Sequence, residues 1–217
     1  IKLRNLAVGK KIVATNDNNS KKEIKISQGK SQKEFNINNL RSNIVTIRIG
    51  QGHGSGFFVG NNGYLLTNAH VVGDSKSVQI ITSSGMEIEG QVIRKNKSRD
   101  VSLIKVPLKI TNSLYLKFQI PDIASDVYAA GTPIDEALKT TVTKGIISNI
   151  RVDNASGLKF IQADASISPG NSGGPLFDKF GNVIGISVAK YNTNSAEGLG
   201  LFIPLQDAFN SIKLSIE

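Results

Sequence analysis

Short apolar segments separated by turn residues recur along most of the chain. Residues 43–49 alternate apolar and polar positions, which predicts a half-buried β-strand, and the apolar run that ends at residue 72 predicts a buried strand. Comparable segments predict further strands at residues 78–81, 86–93, 100–106, 127–133, 140–150, 159–164, 183–189 and 199–203. Because no helical pattern lies between these segments, they favour an all-β fold built of barrels over a βαβ arrangement.

The turn residues between these segments indicate hairpins rather than nucleotide-binding loops. Asn-Asn-Gly at residues 61–63 and Ser-Ser-Gly at residues 83–85 each predict a tight connection between two strands. Residues 50–56 carry glycine at every second position, yet neither a Gly-Lys-Ser/Thr nor a Gly-x-Gly-x-x-Gly pattern is present. We therefore predict a turn at residues 50–56 that leads into a strand at residues 57–59.

The C-terminal residues carry the one convincing helical pattern in the chain. Four apolar side chains recur there at helical spacing and would share one face of a helix: Leu205, Phe209, Ile212 and Ile216. This apolar face predicts a helix that caps the second barrel. At the other end, residues 24–26 predict either an edge strand or the tail of an upstream domain.

Size and composition are those of an ordinary globular protein. The 217 residues, of which 39% are hydrophobic, suffice for one large domain or for two small lobes that share a core. The chain has no cysteine, which excludes disulfides and thiolate metal sites, and no apolar run is long enough to span a bilayer. It begins at Ile1 rather than Met, which we interpret as a processed product or an excised segment.

The net charge of +9 comes mainly from the first 40 residues. Residues 1–40 hold nine Lys/Arg and three Asp/Glu, whereas the rest of the chain has a surplus of three positive charges. A solvated basic segment is the favoured interpretation, and weak contact with an anionic membrane or an acidic partner is the alternative. Nothing in residues 41–217 suggests a basic face with base-reading side chains, so we predict no nucleic-acid partner, although a basic adaptor function stays as a rival hypothesis.

A glycine-rich turn surrounds Ser172. Residues 170–175 are Gly-Asn-Ser-Gly-Gly-Pro, so the backbone can turn sharply and leave N–H groups outside any helix or sheet. A nucleophilic serine needs such an exposed turn, and the main-chain N–H groups of Gly170 and Ser172 could bind the oxyanion that it creates. The alternative is an ordinary Gly/Ser-rich loop between two strands.

The chain contains two histidines as candidates for a catalytic base. His70 ends an apolar run and is predicted at a strand end near the surface, whereas His53 lies in the glycine-rich turn and is interpreted as a surface or gating residue. Asp100 heads a predicted strand and is the best candidate to orient His70. Asp74 and Asp164 compete with it, although Asp164 is expected to be structural.

Together these segments resemble the active-site blocks of the chymotrypsin-like serine proteases. The blocks are Thr-Asn-Ala-His-Val-Val at residues 67–72, Arg-Asp-Val-Ser-Leu-Ile-Lys-Val at residues 99–106, and the serine turn at residues 170–175. Gly-Ser-Gly-Phe, Gly-Ile-Ser and Gly-Leu-Gly-Leu-Phe-Ile-Pro are similar to the bacterial high-temperature-requirement (Deg) branch; they occupy residues 54–57, 185–187 and 198–204. One block alone is a weak signal, but these occur in the right order over residues 43–210.

The resemblance implies two six-stranded antiparallel β-barrels and a C-terminal helix. We therefore predict a basic leader at residues 1–40, a first barrel at 41–110, a linker at 111–126, and a second barrel with the helix at 127–217. No residues remain for the PDZ domain that often follows in this branch. Trimer contacts through aromatic residues before the first barrel have little support here, because Phe35 is the leader's one aromatic residue, so an oligomer is not indicated.

The resemblance also implies a mechanism of peptide hydrolysis. Ser172 would attack the peptide carbonyl, His70 would take and return the proton, and Asp100 would hold the imidazole and stabilise its charged form. The oxyanion hole would be formed by Gly170 and Ser172, with Asn171 shaping the turn. Substrates would be proteins or peptides, no metal or organic cofactor is expected, and export to the periplasm or the exterior is the implied localisation.

By the same resemblance, the substrate pocket would be walled by residues of two segments: Ser166, Ile167, Ile186, Ser187 and Val188. No acid stands at the pocket base, where Ser166 falls, so a preference for Lys or Arg is not expected. We predict small to medium aliphatic P1 side chains, such as Val, Ala or Leu. Loops at residues 132–140 and 190–198 correspond by position to the activation and pocket loops of the Deg branch.

A latent or inactive protease-fold binding module is the alternative function. The presence of His70, Asp100 and Ser172 argues against a permanent loss of activity, but latency is common in this family. Pro169 would either stiffen the nucleophile loop in an active form or lock it in a closed one.

Overall fold

In the computed structural model, the described part of the chain comprises residues 22–31, 33–50, 52–132, 140–190 and 199–217. Much of the predicted basic leader, and nearly all of the loops at residues 132–140 and 190–198, lie outside these ranges. Two short elements come first: strand β1 (Ile24–Ile26) and helix α1 (Ile37–Arg41).

Six antiparallel strands close into a first barrel in the order β2-β3-β4-β7-β6-β5. They are β2 (Ile44–Ile49), β3 (Gly52–Val59), β4 (Tyr64–Thr67), β5 (Ser77–Ile81), β6 (Glu87–Asn96) and β7 (Val101–Lys105). The predicted hairpin around residues 83–85 is confirmed, because β5 and β6 pair on either side of it. Helix α2 (Ala69–Val72) follows β4 directly.

The prediction of a turn at residues 50–56 is wrong for most of that stretch. Strand β3 begins at Gly52 and pairs with β2 from Gly52 to Phe57. Its alternate glycines leave room on one strand face: a Cβ at Gly54 would lie 2.7 Å from the Val71 side chain, and one at Gly56 would lie 2.8 Å from that of Ile47. The glycines therefore mark close packing against a strand, which a turn-based interpretation misses.

Six further antiparallel strands form a second closed barrel in the order β10-β13-β12-β11-β8-β9. They are β8 (Asp126–Gly131), β9 (Thr141–Val152), β10 (Lys159–Ala163), β11 (Pro175–Asp178), β12 (Val183–Lys190) and β13 (Gly200–Pro204). The prediction of two six-stranded antiparallel barrels is thus confirmed. Strand β11 was not predicted, because it begins at the proline that follows the glycine-rich turn.

Adjacent residues of β3 and β4 face two different hydrophobic cores. Phe58 and Leu65 pack inside the first barrel, whereas their neighbours Phe57 and Leu66 pack in a cluster that joins the two barrels. Because both faces are buried, such strands appear in the sequence as continuous apolar runs. The interior of the second barrel is a third cluster, which includes Ile147, Ile161, Leu176, Ile184 and Phe202.

The predicted C-terminal helix is present but shorter than expected. Helix α3 (Leu205–Ser211) ends before Lys213, whose φ of 56° is left-handed, and strand β14 (Leu214–Ile216) follows it. Ile216 therefore does not belong to the helix face. Strand β14 pairs in parallel with β1, so residues 24–26 form a strand of this fold. None of the described helices is both long and apolar enough to cross a membrane.

Phe35 packs within its own chain. Its ring stacks on that of Tyr128, with centroids 3.9 Å apart, and meets Phe177 edge-on at 6.3 Å. Stacked and edge-on ring pairs of this kind are stabilising beyond their buried area. The segment that precedes the first barrel is thereby attached to the second one.

Arg99 joins the first barrel to the second one and to α3. Its side chain is 4% exposed, its Nη2 donates to the carbonyl oxygen of Lys159, and it lies 3.2 Å from Asp207 Oδ2. The guanidinium carbon lies 4.7 Å from the centroid of the Phe160 ring. Burial lowers the pKa of Arg99, and the Asp207 carboxylate partly offsets this effect by favouring the charged form. The residue that precedes Asp100 is therefore fixed against the second barrel.

Candidate active site

His70 and Asp100 form a two-point contact. His70 was predicted at a strand end; it lies in helix α2, three residues beyond the end of β4, and is exposed. Its Nδ1 is 2.7 Å from Asp100 Oδ2, and its main-chain N–H donates to Asp100 Oδ1 at 2.9 Å. An ionised carboxylate can only accept, so the imidazole proton belongs on Nδ1 and the other ring nitrogen, Nε2, is left able to accept a proton.

Asp100 is held in an unusual backbone conformation. Its φ of 63° is left-handed, which costs a non-glycine residue about 1–2 kcal/mol. The side-chain amide of Asn68, which is fully buried, donates to the Asp100 carbonyl oxygen at 3.0 Å and so stabilises this conformation. Sequence reasoning assigned no role to Asn68, because its position in a motif does not show which backbone group it meets.

The competing aspartates have other partners. Asp74 accepts from Lys97 at 2.7 Å and from Lys95 at 3.3 Å, and these hydrogen bonds lower the pKa of Asp74. Asp164 accepts from the main-chain N–H of Ile146 at 2.7 Å. Among the described residues, Asp100 is the carboxylate that contacts His70.

His53 lies on β3, and in the described part of the chain no hydrogen bond joins it to the Asp100 carboxylate. Within the described ranges its Nε2 is buried and has no hydrogen-bond partner. His, Asp and Glu side chains of the same ranges form no group of three or more that could hold a metal ion. The prediction that His53 is not the base stays a prediction.

Ser172 lies in the turn between β10 and β11, and its hydroxyl donates to a main-chain oxygen. Within the described part of the chain, its one hydrogen bond is to the main-chain oxygen of Val188 at 3.0 Å. The structure therefore brings His70 and Asp100 together but does not connect Ser172 to them. Releasing a hydrogen bond of this kind costs about 1 kcal/mol, so a change of side-chain rotamer can redirect the hydroxyl at low cost.

In the turn around Ser172, two N–H groups have no backbone acceptor among the described residues. Asn171 N donates to Ser168 O at 3.0 Å, Gly173 N to Ser187 O at 2.9 Å, and Gly174 N to Asn171 O at 2.9 Å. The N–H groups of Gly170 and Ser172 donate to no other main-chain group among the described residues. These two are the donors that the sequence proposed for an oxyanion.

The residues predicted to wall the substrate pocket differ widely in exposure. Ile186 is completely buried in the cluster that joins the barrels, and Ile167 belongs to the core of the second barrel, where it packs on Gly200. Ser187 is 1% exposed and its Oγ has no partner among the described residues. Val188 is 7% exposed, whereas Ser166 is open to solvent. As the site stands, Ser166 is the predicted wall residue that a ligand reaches most easily.

A family model for the trypsin-like peptidase domain matches residues 54–186 of this chain. The chain belongs to the trypsin-like peptidase family. The matched segment contains the His70–Asp100 pair and the Ser172 turn, so the resemblance drawn from the sequence blocks is confirmed.

Relatives of this trypsin-like domain are named as serine proteases. A Synechocystis protein named as a serine protease, HhoB, is 39% identical over 169 residues, which are 74% of this chain and 39% of that protein. A Bartonella henselae protein named as a DegP-like periplasmic serine endoprotease is 34% identical over 175 residues, which are 76% of this chain and 33% of that protein. The chain thus spans less than half the length of these relatives.

Solved structures similar to the trypsin-like domain include proteases of the high-temperature-requirement type. The Yersinia pestis serine endoprotease superposes with a TM-score of 0.70 and 28% identity, over 80% of this chain and 62% of that one. The HtrA-type protease AlgW with a tripeptide gives a TM-score of 0.72 and 29% identity, over 80% of this chain and 60% of that one.

Gly173 of the trypsin-like domain is expected to tolerate no side chain. Its φ is 85°, and a Cβ there would lie 2.2 Å from the Ser55 main-chain oxygen and 2.3 Å from Thr67 Oγ1. Left-handed strain costs about 1–2 kcal/mol and overpacking about 1–3 kcal/mol, so Gly173→Ala should lower the free energy of unfolding by about 3 kcal/mol or more. Urea denaturation measures the change.

Gly157 provides the matched control for this substitution. It has a similar φ of 70°, but a Cβ there meets nothing within 4 Å. Gly157→Ala should therefore cost about 1 kcal/mol, from backbone strain alone. Equal losses of stability in the two variants would contradict the packing of the nucleophile turn against the first barrel.

Proposed function

We propose that this chain is a serine endopeptidase that uses His70, Asp100 and Ser172 as its catalytic triad. The observation that carries the proposal is the two-point contact between Asp100 and His70, at 2.7 Å and 2.9 Å, which orients the imidazole and fixes its tautomer. Two further observations support it: the N–H groups of Gly170 and Ser172 have no main-chain acceptor within the described ranges, and relatives are named as serine proteases.

The proposed reaction has two stages. Ser172 Oγ attacks the peptide carbonyl carbon while His70 takes the hydroxyl proton, and the N–H groups of Gly170 and Ser172 stabilise the oxyanion. The C–N bond then breaks as His70 gives its proton to the leaving amine, which leaves an ester between Ser172 and the acyl group. Water attacks this ester with His70 again as the base, and the carboxylic acid leaves as Ser172 regains its proton.

The proposed substrates are proteins or peptides with small to medium aliphatic P1 side chains. The predicted pocket residues are Ser166, Ile167, Ile186, Ser187 and Val188, and none of them is charged. An apolar pocket separates aliphatic side chains by only about 1–3 kcal/mol per methylene, so the preference should be broad. We also propose export of the protein, because relatives are named as periplasmic.

One observation favours a second candidate, a latent or inactive binding module. The Ser172 hydroxyl donates to Val188 O at 3.0 Å, and this contact competes with the transfer of its proton to His70. A protein that stays in this state would bind peptides without cleaving them. Apo sites often have catalytic hydrogen bonds that form only when substrate is bound, so we retain hydrolysis as the main proposal.

Labelling with a fluorophosphonate probe tests the proposal. The probe reacts with a serine that is activated by a base and stabilised by an oxyanion hole, so the wild-type chain should be labelled and Ser172→Ala should not. Labelled protein is then incubated with a peptide library, in parallel with unlabelled protein, and the cleavage sites are determined by mass spectrometry.

The outcomes separate the two candidates. Labelling that depends on Ser172, with cleavage lost after labelling, supports hydrolysis; equal labelling of Ser172→Ala would refute this nucleophile. No labelling of a folded wild-type chain would favour the latent module. Cleavage after Arg would contradict the proposed P1 preference.

A further inference from the structure

Ser55 connects the nucleophile turn to both barrels. It lies on β3 and is fully buried. Its main-chain N–H donates to Ser172 O at 2.8 Å, and its hydroxyl donates to Gly170 O at 2.7 Å. The Ser55 hydroxyl oxygen also accepts from the main-chain N–H of Thr132 at 2.8 Å, and it lies 3.1 Å from Thr132 Oγ1.

The protons of this cluster can be assigned. A carbonyl oxygen only accepts, so the single hydroxyl proton of Ser55 must go to Gly170 O. The contact with Thr132 Oγ1 is then made by the Thr132 proton, and Ser55 Oγ accepts from both the N–H and the hydroxyl of Thr132. The Ser55 hydroxyl is therefore fully used, with one bond donated and two accepted.

These bonds hold two peptide groups of the turn. Each of them directly follows a peptide that carries one of the proposed oxyanion donors, the N–H of Gly170 or of Ser172. The peptide between Gly170 and Asn171 is held at its oxygen by Ser55 and at its N–H by Ser168 O. The peptide between Ser172 and Gly173 is held at its oxygen by Ser55 N and at its N–H by Ser187 O. With both of these peptides held, the N–H groups of Gly170 and Ser172 have a defined direction.

We infer that Ser55 is a positioning residue of the oxyanion hole, which acts by holding the carbonyl of Gly170. The inference rests on the proposed function, because it assumes that Gly170 and Ser172 stabilise the oxyanion. Without the Ser55 hydroxyl, Gly170 O and Thr132 N lose a buried partner, and the peptide between Gly170 and Asn171 is free to rotate. Rotation of this peptide would misdirect the neighbouring N–H of Gly170.

Kinetics of Ser55→Ala on a fluorogenic peptide with Val at P1 provide the first test. Loss of an oxyanion donor lowers kcat by about 10²–10³-fold, so we expect a fall of about 10²-fold. KM should change by less than about threefold, because the substrate main chain and side chain are bound elsewhere. Ser55→Cys has a similar volume but a weak hydrogen-bond donor, so it should show the same loss even if Ser55→Ala folds poorly.

Inhibitor binding distinguishes a misdirected oxyanion hole from a general loosening of the site. A peptide boronate with Val at P1 forms a tetrahedral adduct, and its affinity should fall by the same factor as kcat/KM. The peptide substrate binds without a tetrahedral centre, so in a Ser172→Ala background its Kd should be the same with and without the Ser55 substitution. A merely structural role for Ser55 would weaken both ligands alike.

Asn182→Ala is the control for the loss of a buried polar contact. Asn182 is buried, donates to Asp178 Oδ2 at 3.0 Å, and lies in the turn between β11 and β12. This variant should lose thermal stability as the Ser55 variants do, but keep kcat within about threefold. A kcat of wild-type size in folded Ser55→Ala or Ser55→Cys overturns the inference, and so does a parallel loss in Asn182→Ala.

Failure of the inference can be told apart from failure of the proposed function. If the wild-type chain hydrolyses the peptide and Ser172→Ala does not, the triad stands, and only the Ser55 variants decide the inference. If Ser172→Ala hydrolyses the peptide as well as the wild type does, the proposed function and the inference about Ser55 are both refuted.

Discussion

Replacing His70 by Ala is expected to lower kcat for peptide hydrolysis by about 10⁶-fold, the size of loss measured when a serine protease loses its catalytic base. In the proposed mechanism, His70 takes the Ser172 proton and delivers it to the leaving amine; the Asp100 carboxylate contacts its ring at Nδ1, at 2.7 Å. Without the imidazole, Ser172 attacks as a neutral hydroxyl. Steady-state kinetics on a fluorogenic peptide with Val at P1 measure the loss.

A double variant makes this expectation more specific. Ser172→Ala and His70→Ala remove two parts of one proton-transfer unit, so the double variant should be no slower than either single variant. Losses that multiply would show that the two residues act independently, which contradicts the proposed triad. Wild-type activity in His70→Ala would assign the base elsewhere, with His53 as the remaining histidine.

The second large effect is expected for Asp100→Asn, with kcat falling by about 10⁴-fold. Asp100 accepts two hydrogen bonds from His70, one from the main-chain N–H and one from Nδ1. Asparagine has one oxygen and one NH₂ group, so it can accept only one of these bonds. If its oxygen keeps the main-chain bond, its NH₂ faces Nδ1, and the imidazole proton moves to the nitrogen that should accept from Ser172.

Asp164→Asn is the matched control for this substitution. Asp164 also accepts a main-chain N–H, that of Ile146 at 2.7 Å, and it lies in the segment that precedes the nucleophile turn. An amide oxygen can accept this single bond, so kcat should stay within about threefold of wild type. An equal loss of kcat in the two variants would mean that negative charge near the turn matters, rather than the orientation of His70.

The sequence pattern predicted those strands whose burial follows from adjacent residues. It was less successful where contacts with residues distant in sequence determine where an element begins or ends. Alternation located the strand at residues 43–49, and the turn residues 83–85 located the strands of the hairpin around them. The same pattern misassigned the start of β3, because its glycines make room for Val71 and Ile47, which a linear pattern does not show. It also extended the C-terminal helix to Ile216, because the pairing partner of that residue is Ile26, at the other end of the chain.

The sequence identified residues of the candidate site, but it did not predict the hydrogen bonds that orient them. Motif blocks picked Asp100 over Asp74 and Asp164, and the structure places Asp100 against His70. The orientation of the Ser172 hydroxyl depends on Val188 O, and the support of the nucleophile turn depends on Ser55. Such hydrogen bonds join residues that are far apart in sequence, so no local pattern encodes them.

The proposed triad is divided between the two barrels, and this division has a consequence for the newly made chain. His70 and Asp100 belong to the first barrel, whereas Ser172 lies between β10 and β11 of the second. Chains are synthesised from the N-terminus and tend to fold in that order, so the residues of the first barrel are complete before the nucleophile has been translated. With the proposed triad, a nascent chain therefore has no complete active site until the second barrel has folded against the first.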